Sequence, residues 1–584
     1  MKHLKSIALL TSVGLAFTAG AANNITWKGA NGECAFDDSS KWSGWTYWGD
    51  ETATWIVNRG SATAAACTAT MSDNLTLGGK LSFRWTGTEL KFAISPYALT
   101  VSTWEFNNSF TPHNVVFESG TLALRSGATT NAFAWGKYVS NGRFSFDGVG
   151  SEFSGDLTLQ EHTNSTFVVS GGAKWYGSLT DSNVGGDQIT VTGSQTTMDA
   201  MGRSFKIAGR AIFNYVEIYP EYFRNMRFEL SDGAVLKNVK EIYVGEYGNT
   251  AEFVVSNATV SAAGAPMKVG VEVAASNNVV RILDGSSVDV ASLALGLAGQ
   301  GNVCEVDGGS HLAFGGDNFI IANRQTAKDC RLIVSGGATV TNRATNTYIG
   351  TANVSGTLVR VTSGGEFYCR NTVNLPFNTG YGSRIDVSDG GRLVVADTLC
   401  VGVAGTKVTV PNELFIGANG TGTVNTISMR GTGNRVVVSN GTLNVTSVGL
   451  SSSSNCTFTV QGAQARVTAT GAINLTSNDY TLDFVVPKEG FADTPIQCGG
   501  VFSLKSNALL DLSVERGING SYRLIKADGG ISAGGDRYLT ELVARWNEEL
   551  KAQKEFRLKL ELRENNTELW LNARTKGGLM LILR

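Results

Sequence analysis

Arginines recur immediately before predicted strands, at a spacing that would align them along one face of a repetitive fold. A row of guanidinium groups could bind carboxylated or sulfated glycans, because each guanidinium offers paired donors to an anion. The alternative is that outward charges keep a long β surface soluble and discourage pairing with other chains. The recurring arginines are Arg281, Arg331, Arg360, Arg384 and Arg435, of which Arg331, Arg384 and Arg435 are the candidate ligand-binding residues.

Aromatic side chains cluster near the start of the chain and form a second candidate binding site. Exposed flat rings stack on sugar faces and tolerate being half wet. The alternative is that these tryptophans pack the first turn of the fold as a cap. The residues concerned are Trp42, Trp45, Tyr47 and Trp48.

No set of residues in the sequence predicts catalysis. The recurring acids Asp232, Asp284, Asp307 and Asp389 sit beside glycines, where Asp is favoured for backbone reasons. Histidine is scarce, and the sequence contains no G-x-S-x-G, H-E-x-x-H or Walker A motif. We therefore predict no catalytic residues and no cofactor.

The chain contains 8 cysteines without a CxxC pair or a nearby histidine at ligand spacing, so no metal site is predicted. Cys34 and Cys67 lie in the same non-repetitive region and are the favoured disulfide candidate. Cys304 and Cys330 are one repeat apart, so they could stack as neighbours and bond. Alternatively, each is a small buried apolar residue.

A unit of two short apolar strands around a Gly-rich turn repeats along most of the chain. Short alternating strands with turn residues favour an all-β fold, and a fixed period indicates stacked coils. We predict a right-handed parallel β-helix, a solenoid of about 26 residues per rung. The equivalent turn positions, spaced by 24 to 28 residues, are Gly233, Ala258, Gly285, Gly309, Gly337, Gly365 and Gly391.

The chain divides into four segments. Residues 1–21 combine a basic start, an apolar run and small residues, which predicts a signal peptide. Residues 22–150 form an aromatic-rich N-terminal cap with irregular first coils, and residues 151–530 form the β-helix. Residues 531–584 form a C-terminal cap with a hairpin turning at Asn565-Asn566 and a helix. The apolar stripe of that helix is Leu539, Leu542, Val543, Trp546 and Leu550.

The composition limits the partners. Charged residues make up 17% of the chain and the net charge is -2, so a basic surface for nucleic acid is not expected. No apolar run after the signal peptide is long enough to span a membrane. We predict an exported protein in the periplasm, at the cell surface or outside the cell, with extracellular polysaccharide or surface components as partners.

Two stretches resemble bacterial autotransporter-type passengers and related repeat-rich exported proteins. The first is Trp27–Gly32, followed by Phe36-Asp37-Asp38 and Lys41-Trp42, and the second is Gly520–Ala527. The resemblance implies a right-handed parallel β-helix displayed at or released from a bacterial surface, in a group that includes adhesins. The last hundred residues do not show the series of strands expected of a C-terminal translocator barrel.

Three functions remain open. The leading hypothesis is a non-enzymatic adhesion or scaffold module. The alternative is a polysaccharide-active lyase or glycoside hydrolase, with its site in an irregular stretch such as Tyr215–Phe228. The third is a glycan-binding protein without turnover. An enzyme should show a groove lined by acids from several rungs, whereas a scaffold should show uniformly polar faces.

Overall fold

The structure is a computed structural model. The C-terminal two thirds is described almost continuously, over residues 187–207, 225–351, 353–476 and 480–576. The N-terminal third is described in shorter stretches, which are residues 24–27, 32–43, 48, 54–58, 67–84, 90–106, 114–124, 132–135, 143–149, 151–154, 156–159, 166–177 and 179–181. The predicted signal peptide, residues 1–21, lies outside the described residues.

Short strands make up most of the described N-terminal third, with one 3-10 helix at Ser39–Lys41. The strands are β1 (Asn24–Trp27), β2 (Gly32–Ala35), β3 (Trp42–Ser43), β4 (Thr54–Asn58), β5 (Cys67–Thr70), β6 (Leu75–Arg84), β7 (Leu90–Phe106), β8 (Asn114–Leu124), β9 (Ala132–Trp135), β10 (Arg143–Asp147), β11 (Ser151–Ser154), β12 (Asp156–Leu159), β13 (Thr166–Ser170), β14 (Lys174–Tyr176), β15 (Leu179–Asp181), β16 (Gln188–Thr192) and β17 (Thr197–Ile207).

The remainder adds further strands and the helix α1 (Asp536–Leu550). The strands are β18 (Arg227–Ser231), β19 (Val235–Val244), β20 (Glu252–Ser256), β21 (Thr259–Val269), β22 (Val279–Leu283), β23 (Ser287–Leu295), β24 (Val303–Val306), β25 (His311–Phe314), β26 (Asn318–Ile321), β27 (Arg331–Val334), β28 (Thr339–Asn342), β29 (Asn346–Ile349), β30 (Leu358–Val361), β31 (Glu366–Cys369), β32 (Val373–Leu375), β33 (Arg384–Val387), β34 (Arg392–Val401), β35 (Glu413–Ile416), β36 (Thr421–Thr432), β37 (Arg435–Ser439), β38 (Thr442–Ser454), β39 (Thr457–Gln461), β40 (Arg466–Ala469), β41 (Ile473–Leu475), β42 (Thr481–Val486), β43 (Ile496–Cys498), β44 (Phe502–Leu504), β45 (Leu509–Val514), β46 (Asn519–Ala527), β47 (Ile531–Ser532), β48 (Phe556–Arg563) and β49 (Glu568–Thr575).

Each turn of the chain contributes one strand to each of three parallel sheets. In one turn, β27 belongs to sheet 1, β28 to sheet 2 and β29 to sheet 3. Each of these strands pairs in parallel with the equivalent strands of the turns before and after it. The result is a parallel β-solenoid of about 14 turns with about 26 residues per turn, which confirms the predicted repeat.

The interior of the solenoid is built from columns of inward-facing side chains. In sheet 1 the register places Phe228, Phe253, Val280, Cys304 and Leu332 one above another, and all are fully buried. Burying one such side chain contributes about 1.5–3 kcal/mol. Because side chains alternate along a strand, a slip of one residue would expose a whole column. The apolar pattern therefore sets the register.

The turn acids bond to the adjacent turn. Ser256 donates a hydrogen bond to Asp284 at 2.6 Å, and Ser335 donates to Asp307 at 3.0 Å. Asp and Asn tolerate the left-handed backbone conformation that such corners require. These contacts support the turn interpretation of the recurring acids rather than a catalytic one. The turn acids with positive φ are Asp232, Asp284 and Asp389.

Asparagine side chains link successive turns inside the corner that precedes sheet 1. The Asn278 amide donates to Asn302 at 3.0 Å, and Asn412 donates to Asn434 at 2.9 Å. All of these side chains are buried. The bonds satisfy polar groups at a corner where the chain leaves the sheet. Each pair therefore stabilises the stacking of two neighbouring turns.

An aromatic cluster lies near the N-terminus. Trp27, Phe36, Trp42 and Trp55 are buried, and their rings meet mainly in tilted or edge-to-face contacts at 5.1–6.4 Å. The indole N–H of Trp42 donates to the Phe36 carbonyl at 2.8 Å. The parallel stacking of strands includes this region, because β5 pairs in parallel with both β2 and β7.

The C-terminal segment forms the predicted helix and hairpin. The five residues of the predicted apolar stripe are the buried residues of α1. The antiparallel strands β48 and β49 form the hairpin, and Asn565 and Asn566 lie at positive φ in its turn. Helix, hairpin and N-terminal aromatic cluster are thus where the sequence predicted them.

Side chains of α1 and of the segment that follows it donate hydrogen bonds to carbonyl groups at β45, the last strand of sheet 1. Arg545 and Trp546 both donate to the Ala508 carbonyl, and Gln553 donates to the Leu512 carbonyl at 2.6 Å. An open terminal strand would present these carbonyls to other chains. The helix and the segment after it thereby cover the end of sheet 1, while β49 pairs with β46.

The same helix closes part of the hairpin. The Asn547 amide nitrogen donates to the Leu560 carbonyl at 3.0 Å, and the Leu560 amide donates to the Asn547 side-chain oxygen at 2.7 Å. One side chain thus makes both hydrogen bonds that a neighbouring strand would make.

The substitution Asn547→Ala should destabilise the C-terminal end by about 1–3 kcal/mol, because it leaves two partly buried backbone groups of Leu560 without partners. Amide hydrogen exchange at β48 and urea unfolding measure the effect. The matched control is Glu548→Ala on the exposed side of α1, which should change little. Equal exchange protection in both variants would contradict this function of Asn547.

Candidate functional site

The recurring arginines lie on the outer face of sheet 1, in two neighbouring columns. Arg331, Arg384 and Arg435 occupy the first column, separated by Leu358 and Glu413. Arg281 and Arg360 occupy the second column, two positions further along their strands. The predicted single row is therefore two offset rows, with apolar and acidic side chains between the arginines.

Carboxylates on the same and adjacent strands neutralise much of this positive charge. Arg281 forms ion pairs with Glu252 and Glu305. Arg384 contacts Asp386 at 3.4 Å and Glu413 at 3.0 Å, and its guanidinium also lies 4.4 Å from the centre of the Phe415 ring. Exposed pairs of this kind add little stability individually. The pairing leaves Arg281 and Arg384 with fewer free N–H groups to donate to an external anion.

Two of the recurring arginines, Arg331 and Arg435, have no such ion pair among the described residues. The register places Arg435 beside Glu413, whose carboxylate is bonded to Arg384. Among the described residues, the Arg435 side chain has no hydrogen bond and no ion pair. Arg435 lies in a groove of about 570 Å³ that crosses the outer face of six neighbouring strands of sheet 1, from β33 to β45.

Short side chains form the floor of the groove, and larger side chains line its margins. Val437 and Thr459 are buried although they face outward, and Thr457 and Thr481 are half-buried beside them. Arg384, Glu413 and Phe415 line one end, Asp483 and Asp511 line the other, and Arg435 and Gln461 lie between them.

Two carboxylates stand side by side at the far end. Asp483 and Asp511 are register partners on β42 and β45. Burial raises the pKa of Asp483 and the Asp511 charge raises it further, against the opposing effects of Arg435 and of a 2.9 Å hydrogen bond from Thr459. The raised pKa favours the protonated form of Asp483, which can donate a proton or a hydrogen bond.

The aromatic candidates are only partly described. Trp42 is buried against Phe36 and Trp55, so its ring is not open to a sugar. Trp48 is half-buried and stacks on Trp55 with ring centres 5.3 Å apart. These contacts agree with the packing interpretation for both rings. Trp45 and Tyr47 lie outside the described residues, and sugar stacking by them stays a prediction.

Cys304 and Cys330 are free thiols, both fully buried. Cys304 pairs in register with Leu332, two residues beyond Cys330, so the predicted stacking of the two cysteines is not present. Burial raises the pKa of Cys304 to about 12 and that of Cys330 to about 11. Both behave as small apolar side chains.

The predicted bond between Cys34 and Cys67 is not tested. The two residues lie on neighbouring parallel strands, with Cys34 opposite Ala69 and Cys67 opposite Gly32. The side chain of Cys34 lies outside the described part of the structure. The bond stays a prediction. The same holds for an enzymatic site between Tyr215 and Phe228, since residues 208–224 are outside the described ranges.

No protein-family model, no curated protein and no solved structure matches this chain. In the described ranges, no group of three or more histidine, cysteine or acidic side chains could hold a metal ion. No helix among the described residues is long and apolar enough to cross a membrane.

The groove was not predicted, because its acids lie within strands and not at the turns where the recurring acids were recognised. Asp483 and Asp511 occupy the middle of strands, in Thr-Leu-Asp-Phe-Val-Val and Leu-Leu-Asp-Leu-Ser-Val, at the same position of successive repeats. Alignment of the repeats by their inward apolar residues would have placed both acids on the outer face. Their spacing in the sequence carried the necessary signal.

Asp483 should make stability depend on pH. Burial raises its pKa in the folded chain above the ordinary aspartate value of 3.8, so its charged form is disfavoured by folding. Stability should fall as pH rises from about 3.8 through the folded pKa. Asp483→Asn removes this loss, so the stability of the variant relative to the native chain should increase over that pH range.

Thermal unfolding between pH 3 and 8 measures this difference. Asp511→Asn should weaken the pH dependence without abolishing it, because burial, the larger cause, remains. Parallel stability curves for Asp483→Asn and the native chain would contradict the raised pKa.

Proposed function

We propose that this chain is an exported adhesion or scaffold protein of a bacterial surface, similar to autotransporter passengers. One observation carries the proposal: a continuous three-sheet stack with an aromatic cluster at one end and a helix closing the other. About 14 turns at about 4.8 Å each give a rod of about 70 Å. Such a rod can hold a binding surface at a distance from its attachment point.

The outer face of sheet 1 supports this interpretation. Its arginines and carboxylates pair between turns, as Arg281 does with Glu252 and Glu305. Paired charges keep a long sheet face hydrated and oppose its association with other sheets. The helix α1 gives similar protection to the last strand of the stack. A protein built in this way remains a separate rod at high local density.

The proposal is tested with the exported protein, purified from a bacterial host that expresses the full chain. It is incubated with isolated cell envelopes and with plant, host and bacterial polysaccharides, and both retention and new chain ends are recorded. We expect retention on at least one surface without new chain ends. Failure to bind any of these materials would contradict an adhesion function.

A second candidate function is polysaccharide cleavage, and one observation favours it. Glu413, Asp483 and Asp511, from three different turns, line one groove. Asp483 and Asp511 are register partners, so their side chains leave the same face of sheet 1 from strands about 4.8 Å apart. Retaining glycosidases likewise use two neighbouring carboxyl groups, one as the acid and one as the nucleophile. In that reaction a protonated Asp483 would protonate the leaving oxygen, and Asp511 would attack the anomeric carbon. Water would then release the sugar.

Chain-end release separates this candidate from the first. If the native protein cleaves a polysaccharide, Asp483→Asn and Asp511→Asn should each lower the rate at least 100-fold while retention persists, because each removes a reacting group. Asp307→Asn, at a turn, serves as the control. If both groove variants still release new chain ends at the native rate, the activity belongs to another site of the protein.

A further inference from the structure

The groove on sheet 1 collects hydrogen-bonding groups that the protein itself does not use. The side chains of Arg435, Gln461, Thr457, Thr481 and Asp511 form no hydrogen bond and no ion pair with other described residues. On the preceding strands, by contrast, Arg281 and Arg384 form ion pairs across turns, although Arg331 forms none with other described residues. The unused donors and acceptors therefore lie together within one concave surface.

The charges in the groove exclude strongly anionic ligands. Its lining contains Arg384 and Arg435 against Glu413, Asp483 and Asp511. Arg384 is already paired, which leaves Arg435 as the one arginine there without an ion partner among the described residues. Nucleic acids and sulfated chains require several unpaired cations along their length. A ligand without net charge fits this lining.

The groove also does not suit an extended peptide bound by strand addition. Its floor is the face of a sheet, not an edge, and the backbone groups of the six strands already bond to one another. Peptides bind by this mode only where a sheet edge offers free backbone groups. The ligand must therefore contact side chains, and it must supply many hydroxyl groups or similar polar atoms.

The spacing of the lining matches a sugar polymer. Successive strands repeat every ~4.8 Å along the groove, so six strands span about 24 Å. That repeat is close to the length of one sugar unit in an extended chain. A saccharide laid along the solenoid axis would meet a new side chain at each unit. Its hydroxyl groups could donate to Asp511 and accept from Arg435 and Gln461.

We propose that this groove is a binding site for an uncharged oligosaccharide chain lying along the axis of the solenoid. Arg435 and Gln461 supply donors, and Asp483 and Asp511 supply the carboxyl groups at the far end. The low floor at Thr457 and Thr459 admits the sugar rings. This site goes beyond the scaffold function, since a rod needs no such groove, and it does not depend on cleavage of the bound chain.

Calorimetric titration with uncharged hexasaccharides tests the proposal, with cello-, xylo- and mannohexaose as probes. Thr457→Trp fills the groove floor and should weaken binding at least 10-fold. Gln461→Ala should weaken it about 3- to 10-fold, the size of one lost hydrogen bond. Thr423→Trp places the same bulk at an exposed position of sheet 2 and should leave affinity unchanged.

The proposal is overturned if none of the three uncharged chains binds, or if Thr457→Trp and Thr423→Trp bind equally well. Preference for a hexagalacturonate probe, lost on Arg435→Gln, would also overturn it and would favour an acidic ligand. Circular dichroism and thermal unfolding establish that each variant is folded. Retention on cell envelopes that survives Thr457→Trp would leave the scaffold proposal intact, so the two proposals fail separately.

Discussion

Every turn of this solenoid must place its inward side chains directly on those of the turn below. Parallel strands allow this because equivalent residues lie in register, and columns such as Phe228, Phe253 and Val280 are then buried together. The strict alternation of side chains makes any other register costly, since a slip of one residue would expose one column and bury charges in another. The corners must stack in the same way. At one of them, Asp284 accepts a hydrogen bond from Ser256, which lies at the equivalent corner of the turn before.

The register that aligns the core also aligns the outer face, where like charges would stand about 4.8 Å apart if one residue type repeated. In much of sheet 1, opposite charges alternate from turn to turn. Arg281 lies beside Glu305, and Arg384 lies beside Glu413. The ends pose the remaining problem, because stacking leaves the last strand of each sheet without a further partner. At the C-terminus Trp546 of α1 donates a hydrogen bond to the Ala508 carbonyl at the end of sheet 1, and Asn547 bonds to the free edge of the hairpin at Leu560.

The sequence was sufficient to predict the architecture because its strongest constraint is periodic. The spacing of Gly337 and Gly365 revealed the turns, and the stripe from Leu539 to Leu550 revealed the helix. The groove was not predicted, because it depends on which outward residues become neighbours after stacking. From the sequence, Arg384 is a candidate for binding an anion. In the fold it forms an ion pair with Glu413, which lies on the next turn. Cys304 and Cys330 are separated by one average repeat, yet they are not register partners, because individual turns differ in length by a few residues.

Asp483 and Asp511 depart from the alternation of opposite charges seen elsewhere on sheet 1, as between Arg281 and Glu305. Two carboxylates in register cannot neutralise each other as Arg384 and Glu413 do, and burial adds to the cost of charging Asp483. The pair can lower this cost by retaining a proton, or by accepting hydrogen bonds from a ligand that replaces water. A sugar hydroxyl would serve the second route, and the retained proton is what the first step of glycoside cleavage needs. Sugar binding and glycoside cleavage would thus both depend on the two adjacent carboxyl groups. The position of a bound sugar chain relative to Asp483 decides whether the proton stays in a hydrogen bond or is transferred to the leaving oxygen.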